Sequence, residues 1–135
     1  MTRSGRATAC ALVVAILLAA ILLPASLAFA PLTTARAAGA LAIGACGAYG
    51  FAFDFTAEQT ARSAALRKCE GDCKVVAAVS RNCAAFAIDG RNACGAYGVA
   101  AAARLGPAQN DALRQCYLKG GKDCMIRTFV CDAKG

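Results

Sequence analysis

The 135-residue chain contains no histidine and no tryptophan. Without histidine, Ser-His-Asp and Cys-His catalytic arrangements are excluded, and a zinc site would have to be built from thiolates alone. No cysteine pair has the C-x-x-C spacing of a thioredoxin-like redox motif. No basic segment is interleaved with aromatic residues, so nothing favours a nucleic-acid partner. We therefore predict a protein that is not an enzyme and that binds no cofactor, no metal and no nucleic acid.

Acidic side chains are also scarce. From residue 31 onward, 13 Lys and Arg residues stand against 8 Asp and Glu residues, a balance of +5. The basic residues are scattered, which is typical of a solvated surface; attraction to anionic partners is the alternative interpretation.

The N-terminal segment has the order of a secretory signal peptide. Arg3 and Arg6 precede an unbroken apolar run at residues 11–23, and small residues come after it. We predict a leader over residues 1–30, with cleavage as late as residue 38, and hence an exported protein that is periplasmic or secreted. The alternative is an uncleaved anchor of about 17 residues, the lower limit for crossing a bilayer. Membrane contact is expected only through this segment.

The chain after the leader consists of two sequence repeats of one unit. A GAYG motif at residues 47–50 returns at residues 95–98, each time directly after a cysteine. We predict a single domain over residues 39–132, built from repeats at 40–83 and 85–131. Each repeat reads as an apolar strand, a turn, a strand through GAYG, a helix and a third strand. The predicted fold class is α+β: two β-β-α-β repeats with pseudo-twofold symmetry, and two helices against a largely antiparallel sheet.

Eight cysteines come after the leader, in the same order in both halves. They are Cys46, Cys69, Cys73 and Cys83 in the first half and Cys94, Cys116, Cys124 and Cys131 in the second. An even number in an exported chain indicates up to four disulfides, for which 105 pairings exist. We hypothesise helix-to-strand links Cys69–Cys83 and Cys116–Cys131, with Cys46–Cys94 and Cys73–Cys124 joining the two halves.

In each predicted helix, small residues recur every four positions and end on a cysteine, so that a small-residue stripe faces the sheet. The stripes are Ala57, Ala61, Ala65 and Cys69 in the first half, and Ala108, Ala112 and Cys116 in the second. Thr56 and Gln59 have the spacing of a capping box at the start of the first helix. Before it, Phe51, Phe53 and Phe55 alternate as on one face of a half-buried strand.

The motifs AI-x-C-GAYG, ALRKC or ALRQC, GDCKVV or KDCMIR and the terminal FVC resemble the DUF4189 family across residues 40–132. The resemblance implies export and the same duplicated fold, but no catalytic residues. The chain departs from the family pattern in having Cys46 and Cys94 where strand residues are expected. Its second GAYG strand is also poor in aromatic residues.

Function is less constrained than fold. Tyr49 and Tyr97 are candidates for an interaction surface; the alternative is a packed tyrosine between two glycines. Asp72 and Asp123 would be the carboxylates of an enzyme, or would simply fix the turns before their strands. We expect an exported, non-enzymatic binding protein, inhibitor- or immunity-like, whose partner is another protein of the envelope or extracellular space. The alternative is a secreted effector or toxin-like protein acting on host or competitor cells. The sequence leaves the oligomeric state open.

Overall fold

The computed structural model describes residues 38–132, so the predicted leader lies outside the described residues. The elements in chain order are β1 (Ala38–Ile43), β2 (Tyr49–Phe55), α1 (Glu58–Arg67), β3 (Lys74–Val79), β4 (Cys83–Asp89), β5 (Tyr97–Ala102), α2 (Leu105–Leu118) and β6 (Cys124–Cys131), with a short 3-10 turn at Ala45–Gly47. The predicted β-β-α-β order is confirmed in both halves.

The strands form two antiparallel sheets of three strands, in the orders β2-β1-β3 and β5-β4-β6, rather than the one sheet expected. The first strand of each repeat is therefore the central one, with a neighbour on either side. Every residue of β1 and β4 is buried. This burial explains why both strands read as continuous apolar runs, since neither has a face toward water.

The described domain has four layers, α1, the first sheet, the second sheet and α2. In β1, Ala40 and Ala42 pack against α1, while Leu41 and Ile43 belong to the core between the sheets. β4 repeats the pattern, with Ala85 and Ala87 toward α2, and with Phe86, Ile88 and the smaller Ala84 toward the first sheet. Alternate residues of a strand point to opposite faces, so each central strand separates small residues from large ones.

The small residues let each helix lie directly on its sheet. Ala61, Ala65, Ala108 and Ala112 are completely buried, as the predicted stripes require, whereas Ala57, the first residue of the predicted stripe in the first helix, is exposed. The second glycine of each GAYG motif completes this contact. A Cβ at Gly50 would meet the carbonyl oxygen of Ala65, and one at Gly98 would meet that of Ala112. The motif therefore marks the point where a helix touches the backbone of a strand.

Two local predictions for the first repeat are wrong. Asp54 has φ +61°, and the β1–β2 register shifts between Ala38 and Ala40. This irregularity turns Phe55 toward α1, so it does not share a face with Phe51. The capping box is absent as well: α1 begins one residue later than predicted, its N-cap is Ala57, and no side chain caps it.

Residues 38–132 contain four disulfides, and only the Cys46–Cys94 pair is among the four we hypothesised. The others are Cys69–Cys73, Cys116–Cys124 and Cys83–Cys131, so Cys69–Cys83, Cys116–Cys131 and Cys73–Cys124 are wrong. In each half, a cysteine at the end of the helix is bonded to the one that precedes or begins the third strand.

The disulfide Cys83–Cys131 explains why three of the predicted pairings are wrong. Cys83 and Cys131 lie opposite each other in neighbouring strands of the second sheet. The sequence order had paired Cys83 with Cys131 as equivalent positions of the two repeats, and this was wrong. Ile43 and Ile88 are equivalent, and five residues before them stand Ala38 and Cys83, so the counterpart of Cys83 is Ala38. The first sheet therefore has no equivalent disulfide.

Candidate functional site

Edge strands of the two sheets meet at both sides of the sandwich, β2 against β6 and β3 against β5. The contact between β2 and β6 leaves a groove of about 550 Å³. Its lining consists of Phe51, Phe53, Asp54 and residues 126–131. We call it the β2–β6 groove. It lies in the 300–1,000 Å³ range typical of ligand pockets.

β2, which supplies one wall of the groove, carries three aromatic rings in a row on alternate residues. Phe51 and Phe53 line the groove, and Tyr49 packs against the core between the sheets. The rings of Tyr49 and Phe51 stack with centroids 6.4 Å apart and planes 6° apart. Those of Phe51 and Phe53 stack at 6.2 Å and 17°. Exposure increases along the row, from the half-buried Tyr49 to Phe53, which is 48% exposed. We call this row the aromatic ladder; it ends at Asp54, where the strand changes face.

A cation lies over each of two rings of the ladder. The guanidinium carbon of Arg127 lies 5.4 Å from the centroid of Tyr49, and Lys68 Nζ lies 5.7 Å from that of Phe51. Arg127 reaches this place because β6 bulges there: Phe86 pairs with Thr128 and Ala87 with Ile126, which leaves Arg127 without a partner in β4. The guanidinium is a planar donor that suits a carboxylate or a carbonyl oxygen.

The opposite wall of the groove is also apolar and exposed. Phe129 of β6 is 46% exposed. Both β2 and β6 are edge strands with one strand neighbour each, so their outer backbone N–H and C=O groups have no strand partner within residues 38–132. The groove thus combines aromatic surface, one guanidinium, one carboxylate (Asp54) and two free strand edges. Such an arrangement is suited to binding an extended chain.

The two predicted interaction tyrosines lie in different places. Tyr49 belongs to the aromatic ladder. Tyr97, which is 38% exposed, lies with its ring edge-on to Phe86 at 6.1 Å and has Lys119 Nζ 4.4 Å from its centroid. It lines a second concavity, of about 710 Å³, together with Gly44 and residues 71–74. We call this the Gly44 pocket. The structure does not bring Tyr49 and Tyr97 together in one lining.

Sequence reasoning missed the part that Asp89 plays in joining the turn after β4 to the segment before β6. Asp89 is buried, and its carboxylate accepts hydrogen bonds from the backbone N–H groups of Arg91 (3.1 Å), Lys122 (3.3 Å) and Asp123 (3.3 Å). These bonds, that from Arg91 foremost, hold the pKa of Asp89 below its ordinary value of 3.8. Asp123 contributes its amide to this turn, and Asp72 lines the Gly44 pocket.

No sequence pattern marks Phe129 and Arg127 as site residues, because their placement depends on the bulge in β6. Phe53 could be noticed from its alternation with Phe51. Within the described range, all eight cysteines are in disulfides and no group of three potential metal ligands occurs. No helix in residues 38–132 is long and apolar enough to span a membrane.

The duplicated fold, with a cystine joining helix to strand in each half, defines a class of small disulfide-stapled α+β domains. The family model described as a domain of unknown function (DUF4189) matches residues 38–131, and the chain belongs to that family. Comparison with curated proteins and with solved structures found no match. Four disulfides indicate an oxidising compartment.

Proposed function

We propose that the protein is an exported, non-enzymatic binding protein that holds an extended segment of a partner protein in the β2–β6 groove. The observation that carries this proposal is the aromatic ladder, exposed at Phe53, beside two unpaired strand edges. The predicted leader and the oxidising compartment favour a partner in the periplasm or outside the cell.

Aromatic side chains supply the contact area that such binding needs. Phe53 and Phe129 are about half exposed and line the same groove, and exposed apolar side chains grouped in one place mark interaction sites. Aromatic residues dominate the binding energy at protein interfaces because they bury large areas and lose little conformational freedom.

The backbone of the groove favours a polypeptide over a sugar. An extended peptide can pair its N–H and C=O groups with the free edge of β2 or β6, while its alternate side chains contact the ladder. A sugar would bury many hydroxyl groups that need hydrogen-bond partners. The lining offers few polar side chains for them: Asp54, Arg127 and Thr128.

The charged residues of the groove indicate which kind of partner segment would bind. Arg127 lies at the Tyr49 end of the ladder and Asp54 follows Phe53 at the other end. An apolar segment with one acidic residue placed toward Arg127 would complement this polarity.

The test is selection from a displayed library of random twelve-residue peptides against the exported, disulfide-bonded protein. We expect enrichment of apolar residues at alternate positions with an acidic residue at one end. A selected peptide, labelled with a fluorophore, should bind the Phe53→Ser/Phe129→Ser double variant at least about tenfold more weakly than the wild type. Both side chains are about half exposed, so the double variant should keep its fold.

Leu118→Ser is the matched control, because Leu118 is 78% exposed and lies on α2, away from the groove. This variant should bind the selected peptides like the wild type. Selected peptides that bind the double variant and the wild type equally would contradict the proposal. So would amide chemical shifts that change outside β2 and β6 when a peptide is added.

A further inference from the structure

The two repeats differ at the point where the central strand passes into the turn that follows it. Gly44 and Asp89 are structural counterparts: the amide of Gly44 donates to the carbonyl of Ala48 (2.9 Å), and that of Asp89 donates to the carbonyl of Ala96 (3.0 Å). In the second repeat a carboxylate therefore projects from a place where the first repeat has only a hydrogen.

The second repeat uses this carboxylate to hold the turn before β6. Two of the three amides that bond to Asp89 belong to Lys122 and Asp123, the two residues before Cys124. In the first repeat the two residues before Cys73 are Gly71 and Asp72. Within residues 38–132, the amides of Gly71 and Asp72 donate no hydrogen bond.

The turn of the first repeat borders a concavity, although a Cβ at Gly44 itself would lie 2.8 Å from Cys73 Sγ. Gly44, Gly71 and Asp72 all line the Gly44 pocket, whose volume is about 710 Å³. Gly71 has φ +81°, and nothing lies within 4 Å of the place where its Cβ would be. The backbone of this wall is therefore accessible from the pocket.

The remaining lining has the character of a binding site for a small amphipathic anion. Ile43, Leu66 and Tyr97 supply apolar surface. Lys74 supplies a positive charge at the place of Met125 in the second repeat. Lys119 is not part of the lining, but its ammonium group lies beside the Tyr97 ring. Asp72 supplies the one negative charge of the lining.

We propose that the Gly44 pocket binds the carboxylate of a ligand with an apolar group next to it, against the backbone segment whose counterpart in the second repeat bonds to the Asp89 carboxylate. The backbone amides of Gly71 and Asp72 and the ammonium group of Lys74 are the donors. A polypeptide C-terminus and a free organic acid share this chemistry. The site is separate from the β2–β6 groove and does not depend on the function proposed there.

The test uses three small probes and the exported protein labelled with 15N. N-acetyl-leucine represents a polypeptide C-terminus, 4-methylpentanoate is a free acid with the same apolar group, and N-acetyl-leucinamide has no carboxylate. We expect at least one acid to shift the amide resonances of residues 71–74 and to bind at least about tenfold more tightly than the amide, because hydrogen bonds to a charged group are strong.

The two acids separate the sources of the carboxylate. Tighter binding of N-acetyl-leucine would support a polypeptide C-terminus. Binding of 4-methylpentanoate that is equal or tighter would support a free organic acid. Equal affinity for acid and amide, or shifts confined to β2 and β6, would overturn the proposal.

Variants tie the binding to the pocket. Lys74→Met introduces the residue of the second repeat and should weaken acid binding about two- to fivefold. Lys122→Met removes the same charge in the second repeat and should change nothing. An equal effect of the two variants would mean that overall charge, not the pocket, binds the acid, and would overturn the proposal.

Gly44→Asp places a carboxylate in the pocket itself and should abolish the preference for acid over amide. Its Cβ would lie 2.8 Å from Cys73 Sγ, so a shift of that sulfur is required. If this variant folds like the wild type and still prefers the acid, the proposal fails. If it does not fold, the comparison of Lys74→Met with Lys122→Met decides.

Discussion

The two repeats of this protein have one topology and different surfaces. The GAYG strand of the first repeat continues with Phe51 and Phe53, whereas that of the second continues with Val99 and Ala101. The turn after the central strand leaves a pocket at Gly44 in the first repeat and is tied by Asp89 in the second. The shared framework therefore depends on the small residues and the helix-to-strand cystines, while the exposed positions are free to vary.

The second sheet is also more strongly crosslinked. Cys83–Cys131 joins β4 to β6, and the corresponding place in the first sheet has no disulfide. The groove, the ladder and the Gly44 pocket all draw on the first repeat, and the second repeat contributes β6 and Tyr97. Substitutions in the two repeats can test whether the second repeat is the more strongly stabilised one. We expect their effects on the free energy of unfolding to differ widely in size.

Removal of Cys83–Cys131 should have the largest effect. The double variant Cys83→Ala/Cys131→Ala removes a crosslink between residues 48 positions apart in the sequence. The chain-entropy model predicts that the free energy of unfolding falls by about 4 kcal/mol for a loop of this length. Urea denaturation measures it. Cys46→Ala/Cys94→Ala is the matched variant because its separation is also 48. Cys46 and Cys94 are both exposed, whereas Cys83 is buried. The Cys46→Ala/Cys94→Ala variant should therefore lose less free energy of unfolding than the Cys83→Ala/Cys131→Ala variant. A larger loss from Cys46–Cys94 would contradict this ranking.

Substitution of the second GAYG glycine should destabilise both repeats alike. In Gly50→Ala and Gly98→Ala the new Cβ meets helix backbone, which cannot move as a flexible side chain does. We expect each to lower the free energy of unfolding by about 1–3 kcal/mol, measured by urea denaturation.

Gly106→Ala is the control, since nothing lies within 4 Å of a Cβ there and alanine is a better helix former. This variant should be as stable as the wild type or slightly more so. A cost confined to one of the two GAYG glycines would disprove the structural equivalence of the repeats at this contact.

The Asp89 turn should make stability depend on pH in the second repeat. Backbone hydrogen bonds lower the pKa of Asp89 below 3.8 in the folded protein. The ionised carboxylate therefore adds to the free energy of unfolding, and this stabilisation is complete above the pKa that Asp89 has in the unfolded chain. That contribution is lost as the pH falls through the lower pKa of the folded protein. Urea midpoints measured from pH 6 to pH 2 should therefore decline less in Asp89→Asn than in the wild type. Identical declines would show that Asp89 makes no such contribution.

The smallest effect should come from the ion pair on α1. Arg62 and Glu58 approach to 2.7 Å on an exposed face, and such pairs contribute about 0.3–0.5 kcal/mol. Glu58→Gln should lower the free energy of unfolding by that amount at low salt and by less at high salt. Asp111→Asn on α2 serves as the control, since Asp111 has no ion pair within the described residues. A loss that salt does not reduce would argue against a Coulombic origin.

Local sequence signals were sufficient for the elements and for part of the contacts between them. The duplication of GAYG and of the cysteine order predicted two β-β-α-β units, because each motif has a local cause: a turn, a helix stripe or a strand period. The packing of each helix on its sheet through small residues was also predicted, but the role of Gly50 and Gly98 in that contact was not.

Contacts between distant strands were not predictable in the same way. The disulfide Cys83–Cys131 depends on β4 lying beside β6, and the pairing by sequence order missed it. Arg127 reaches Tyr49 only because a bulge in β6 turns it toward the other sheet. Phe55 leaves the row of Phe51 and Phe53 because Asp54 adopts a positive φ.

The amino-acid sequence alone was enough to specify the duplicated α+β architecture and the family, because residue periodicity, glycines and cysteine order act over a few residues or repeat at a fixed distance. The tertiary structure was needed to establish that there are two sheets, which cysteines are bonded, and where the two concavities lie. Those features depend on which strand edges and turns meet in space, and neighbours of that kind are distant along the chain.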